Sequence, residues 1–141
     1  MLKRMRMFVI PVLACGAAGP SIAATPASSL TWQQVYKCSL FASSLAEFAK
    51  DHNQDPAAYD KDFDQLVASA MRLHHKEYSR VHPAAKGADW EDAFDADTSN
   101  AEDAFLGEMD QTPAAMDFLR TGYNQCGPIR AFAAIDSHTG D

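Results

Sequence analysis

Two cysteines, Cys38 and Cys126, constrain this chain more than any other feature of its sequence. They are 88 residues apart, near the two ends of the part that follows a leader-like N-terminus. An even pair of cysteines in an exported chain indicates one disulfide bond. A bridge closing a loop of this length stabilises a fold by roughly 4–5 kcal/mol in the chain-entropy model. We therefore expect a fold that brings its first and last elements together.

The N-terminus has the three-part layout of a secretory signal peptide over residues 1–23. A basic start that includes Lys3 is followed by an apolar run over residues 7–18, and small residues lead to Ala23 and Ala24. The apolar run is too short to span a membrane as a helix, which takes about 20 apolar residues. We expect cleavage after Ala23 or Ala24, and a periplasmic or secreted protein.

The segment around Cys15 supports an alternative. Val12 to Gly16 (VLACG) resembles a bacterial lipobox, in which the cysteine becomes the lipidated first residue. In that case the protein is a lipoprotein anchored to the membrane through Cys15, with a flexible tether rich in small residues. In the leading interpretation, residues 24–30 are a linker, residues 31–135 a helical domain and residues 136–141 a polar tail.

The first two helices have clear boundaries. Thr31 followed by Gln34 fits a capping box, and the helix to Lys50 places Cys38 on its apolar face. Asp55-Pro56 opens the second helix with a cap and a proline in the first turn. His82-Pro83 ends it, because a residue before proline avoids the helical region.

The rest of the chain is also helical in pattern. Asp89 opens a third region, which is either one long helix or two short ones separated by the polar tract 95–100. Thr112-Pro113 opens a fourth helix that carries Cys126 inward, and Gly127-Pro128 stops or kinks it before a final turn or two. No stretch alternates like a strand. We predict an all-α antiparallel bundle of about four helices, in which the Cys38–Cys126 disulfide links the first and the fourth.

Charge narrows the choice of partner. Loss of Lys3, Arg4 and Arg6 with the leader leaves 9 of the 12 basic residues against 19 acidic ones, so the net charge falls from −7 to about −10. Such a surface repels nucleic acid and anionic membranes. From Asp89 to Asp117 there are ten acidic residues and no Lys or Arg. We interpret this run either as a solvated face or as a docking surface for a basic protein. The predicted partner-binding residues are Glu91, Asp92, Asp95, Asp97, Glu102 and Asp103.

Three histidines, His74, His75 and His82, lie close together in the second helix. Imidazole suits zinc and copper, so these residues are a candidate metal site, with Met71 as a further candidate ligand. Their spacing matches no established ligand motif. The structural interpretation places His74 at the edge of the core and leaves His75 and His82 in solvent.

No catalytic or cofactor-binding motif is present, so we expect a binding protein rather than an enzyme. The leading hypothesis is a protein-binding module of the bacterial envelope, with an inhibitor or immunity-type factor as one form of it. The alternatives are a periplasmic metal-binding protein that uses the histidines and a structural accessory subunit of an envelope complex.

Overall fold

The computed structural model describes residues 30–137, and these residues form five helices and no strand. The helices are α1 (Trp32–Asp51), α2 (Ala57–Val81), α3 (Gly87–Asp110), α4 (Ala115–Gln125) and α5 (Gly127–Asp136). The predicted all-α class is therefore confirmed, whereas the predicted number of four helices is one too few. The predicted leader, the Cys15 lipobox, residues 24–29 of the linker and residues 138–141 of the tail lie outside the described residues.

Helix α1 is the centre of the fold. It packs against each of the other four helices, and ten of its 20 residues are buried. It begins at the predicted capping box, because the Thr31 side chain accepts from the Gln34 backbone while the Gln34 side chain accepts from the Thr31 backbone. The helix must supply an apolar surface on several sides, which explains why aromatic residues widen its stripe.

Pairs of contacts show how the helices run. Lys50 at the end of α1 bonds Asp60 at the start of α2, and Trp32 at the start of α1 packs 4.9 Å from His74 in the second half of α2, so these helices are antiparallel. Helix α4 is antiparallel to α1 as well, because Phe41 contacts Phe118 while Cys38 is joined to Cys126.

The disulfide predicted from the sequence is present. The sulfurs of Cys38 and Cys126 are 2.05 Å apart, and both residues are buried. Cys126 lies between α4 and α5, so the bridge ties the second turn of α1 to the junction of the last two helices.

Helix α3 is continuous, which settles the choice that the sequence left open. Only three of its 24 residues are buried: Phe94, Thr98 and Phe105. Phe94 and Phe105 stand eleven residues apart, close to three full turns, so both reach the core from one side of the helix. The rest of α3 faces outward or lies at the edge of the core. None of the helices within residues 30–137 is long and apolar enough to cross a membrane.

Candidate protein-binding face

The exposed side of α3 carries most of the acidic run. Glu91, Asp95 and Glu102 follow one another at steps of four and seven residues, so they share one side of the helix. Asp92 and Asp103 lie beside them, and all five residues are exposed. Because α3 contains no Lys or Arg, this surface, which we call the acidic face, is negative along its whole length.

Two of the six predicted partner-binding residues make bonds inside the molecule. Glu102 Oε1 accepts a hydrogen bond from the Tyr36 hydroxyl at 2.6 Å, which joins α3 to α1. Burial, together with this bond to Glu102, raises the pKa of Tyr36 above its ordinary value, so the hydroxyl stays a donor. Asp97 lies on a different side of the helix and bonds His74 at 2.9 Å, which joins α3 to α2. Glu102 and Asp97 therefore position the helix as well as adding charge.

The other four residues, Glu91, Asp92, Asp95 and Asp103, have no hydrogen bond or ion pair with any of residues 30–137. Carboxylates without a partner remain fully available to a cation from outside. Leu106, which is 49% exposed, lies in line with them four residues after Glu102. The acidic face thus combines unpaired charge with an exposed apolar side chain.

His74 is the most enclosed of the three predicted metal ligands, with 3% of its surface exposed. The Trp90 indole Nε1–H donates to His74 Nδ1 at 2.8 Å, and His74 Nε2 bonds Asp97 Oδ2 at 2.9 Å. Nδ1 must accept, so the ring proton lies on Nε2 and points at Asp97. Both ring nitrogens are occupied, and the ring packs edge-on against Trp32 and Phe94. These contacts give His74 a structural role.

His75 and His82 are exposed, and only His82 lines the same hollow as His74. His75 packs on the Trp90 ring at 4.9 Å, and His82 packs on the Tyr78 ring at 4.5 Å. No group of three or more His, Cys, Asp or Glu side chains in the described part of the chain is arranged to hold a metal ion. The geometry thus lends the metal-site hypothesis no support.

A half-buried polar cluster that the sequence did not reveal joins α2, α4 and α5. The Tyr123 hydroxyl donates to Asp62 at 2.5 Å, and Arg130 Nη1 donates to Asp62 and to the Tyr123 oxygen at 2.8 Å each. The Arg130 guanidinium also lies 3.9 Å from the Tyr123 ring centroid. These residues come from three helices and follow no common spacing, so only the packed structure brings them together.

The Tyr123 cluster predicts a late phenol titration. Burial, followed by the hydrogen bond to Asp62, raises the pKa of Tyr123 from 10 to about 12. The folded protein therefore keeps this proton at pH values where the unfolded chain has lost it, and stability should fall as pH rises from about 10 towards 12. Phenolate absorbance should show a group that ionises near pH 12, and Tyr123→Phe should remove it. Tyr78→Phe, the control, should leave that group in place, and an unchanged titration in Tyr123→Phe would contradict the assignment.

A groove of about 590 Å³ lies over the disulfide between α1 and α4. Phe41, Phe118 and Ile129 give it an apolar lining. Two residues of opposite charge, Lys37 and Asp117, lie at its rim. Such a volume suits a small apolar group. The mixed rim favours no one class of ligand, so we assign this groove no function.

Comparison of the chain with protein-family models, with curated proteins and with solved structures gave no match.

Proposed function

We propose that this protein is an exported, non-catalytic binding module that engages a basic partner protein through the acidic face of α3. The observation that carries the proposal is the set of four exposed carboxylates without a partner in a helix that has no basic residue. Opposite charge on two surfaces speeds their encounter and disfavours wrong partners. An inhibitor or immunity-type factor is one form such a module takes, with an enzyme or toxin as the basic partner.

The way α3 is held supports this proposal. Its inner side is fixed by the buried Phe94 and Phe105 and by the bonds that Asp97 and Glu102 make to α2 and α1. A helix that is anchored on one side presents its outer charges in a fixed arrangement, which lowers the entropy lost on binding. Leu106 adds an apolar contact within that arrangement.

The first test is retention of envelope proteins by the immobilised mature protein at low salt and at about 1 M salt, where the Debye length shrinks to about 3 Å. The partner should be retained at low salt and released at high salt. Binding of the purified partner should then weaken about tenfold when three unpaired carboxylates are neutralised, because each exposed pair contributes a fraction of a kcal/mol. The substituted residues are exposed on α3 and unpaired: Glu91→Gln, Asp95→Asn and Asp103→Asn.

A matched triple variant controls for the overall change in charge. Its residues are exposed carboxylates of α1 and α2, away from the acidic face: Asp51→Asn, Asp64→Asn and Glu77→Gln. This variant should bind within about twofold of the wild type. Equal weakening in both triples, or binding that salt does not affect, would remove the acidic face as the contact surface.

A further inference from the structure

A second hollow, distinct from the groove over the disulfide, opens beside the acidic face. It has a volume of about 300 Å³ and lies between α1 and α3, with Phe63 of α2 among its lining residues. Leu40 and Phe105 also line it, so part of its wall is apolar. Two carboxylates, those of Glu47 and Glu102, line the same hollow. We call it the Glu47–Glu102 hollow.

The hollow is negative and has unused hydrogen-bond acceptors. No Lys, Arg or His is among its lining residues. Glu47 has no hydrogen bond or ion pair within residues 30–137, and Glu102 is bonded only through Oε1 to the Tyr36 hydroxyl. The hydroxyls of Ser43 and Ser44, which also line the hollow, have no hydrogen bond among the described residues.

We propose that the Glu47–Glu102 hollow receives an arginine side chain of the partner protein. An arginine side chain has an apolar stem, which the Leu40 and Phe63 part of the wall would cover, and a cationic head with five N–H donors. Two carboxylates and two serine hydroxyls supply acceptors for several of those donors. The planar guanidinium also packs well on aromatic rings, which favours arginine over the more strongly hydrated lysine.

The hollow is continuous with the acidic face, because Glu102 and Leu106 belong to both. A partner that lies along α3 would therefore reach the hollow without a second docking event. This inference rests on the proposed function only for the source of the arginine, and the hollow itself can be tested without any partner.

The test is a titration of the mature protein with Nα-acetyl-L-arginine amide, followed by NMR of the backbone amides. Saturable shifts are expected in two stretches, residues 40–47 of α1 and residues 102–106 of α3. The citrulline analogue, which has the same length and no charge, should produce little change, and the lysine analogue should bind more weakly. Shifts that do not saturate, equal binding of citrulline or lysine, or shifts confined to residues 91–95 would overturn the assignment.

Two glutamate variants sharpen the result. Glu47→Gln should weaken binding of the arginine derivative about threefold, since it removes one exposed charge pair. Glu77→Gln, a substitution of another exposed glutamate, on α2 and outside the hollow, should leave binding unchanged. An unchanged affinity in Glu47→Gln would overturn the proposal.

The outcomes also separate this inference from the proposed function. Loss of partner binding in the α3 triple variant but not in Glu47→Gln would overturn the proposed role of the hollow and support the acidic face as the contact surface. If the protein binds the arginine derivative saturably but retains no salt-sensitive partner, the hollow remains an arginine-binding site and the proposed function is overturned.

Discussion

Replacing both cysteines, Cys38→Ala and Cys126→Ala, should lower the free energy of unfolding by roughly 4–5 kcal/mol, because the unfolded chain regains the freedom of an 88-residue loop. This loss is a large part of the stability of a small domain, so the variant should unfold at a much lower urea concentration than the wild type. Urea denaturation followed by circular dichroism measures the effect, and the m-value reports whether the unfolded state has expanded.

Reduction of the wild-type protein is the companion measurement. Both cysteines are buried, so dithiothreitol should act slowly on the folded protein and faster in urea. The reduced protein keeps both sulfur atoms in the core and lacks only the covalent link. Its stability should match that of the double alanine variant, because we expect the link, and not sulfur packing, to account for the loss. If thiol labelling of the denatured, unreduced protein finds both cysteines free, the bridge and the compartment inferred from it both fail.

Gly122→Ala should destabilise the protein by about 2–3 kcal/mol through overpacking. A Cβ atom at this position would lie 2.2 Å from two ring atoms of Phe41, so α1 and α4 could not keep their present separation. The Phe41 ring cannot move aside freely, because it packs edge-on against Phe105 at 5.0 Å and tilted against Phe118 at 5.3 Å. The measurement is urea denaturation of the oxidised protein.

Gly107→Ala is the matched control for this substitution. Nothing lies within 4 Å of a Cβ atom at Gly107, which is also in the interior of a helix. Alanine should therefore stabilise α3 by roughly 0.5–1 kcal/mol through its helix propensity. If both alanine variants stabilise the protein, the close approach of α1 and α4 at Phe41 is wrong.

The start of the fold was predictable because its signals are local. The Thr31 capping box lies within one helical turn, and the end of α2 at Val81 follows from Pro83. Asp55 also acts as expected, since its carboxylate accepts from the Ala57 backbone N–H, although the helix begins one residue later than the pattern indicates. The cysteine pairing followed from the two cysteines that remain when Cys15 is assigned to the leader of a chain expected to be exported.

The C-terminal part was harder to predict because tertiary packing decides it. Gly127-Pro128 reads as a stop, yet Cys126 has φ −74° and ψ 0°, and Pro128 lies in the first turn of a new ten-residue helix, α5. Proline is well tolerated there, because the first backbone N–H groups of a helix have no partner within it. The predicted start of the fourth helix at Thr112 was also wrong, because α4 begins at Ala115. The Thr112 hydroxyl instead donates to the Glu108 carbonyl, near the end of α3.

The predicted polar tail likewise begins too early. Asp136 is the last residue of α5, and Arg72 donates to it from both Nε and Nη2, while Ser69 donates at 2.7 Å. A sequence pattern predicts that such a polar residue is solvated, because its hydrogen-bond partners are more than sixty residues away in sequence. The same limit applies to α3, where no sequence pattern indicates that Asp97 and Glu102 bond His74 and Tyr36.

The position of the bridge has a consequence if a protease cuts the folded protein. The exposed connection between α2 and α3, residues 82–86, lies inside the covalent ring that Cys38 and Cys126 close. A peptide bond cut there opens the ring without releasing either piece. The severed halves stay tethered through sulfur, and α3 keeps its place against α1 instead of diffusing away.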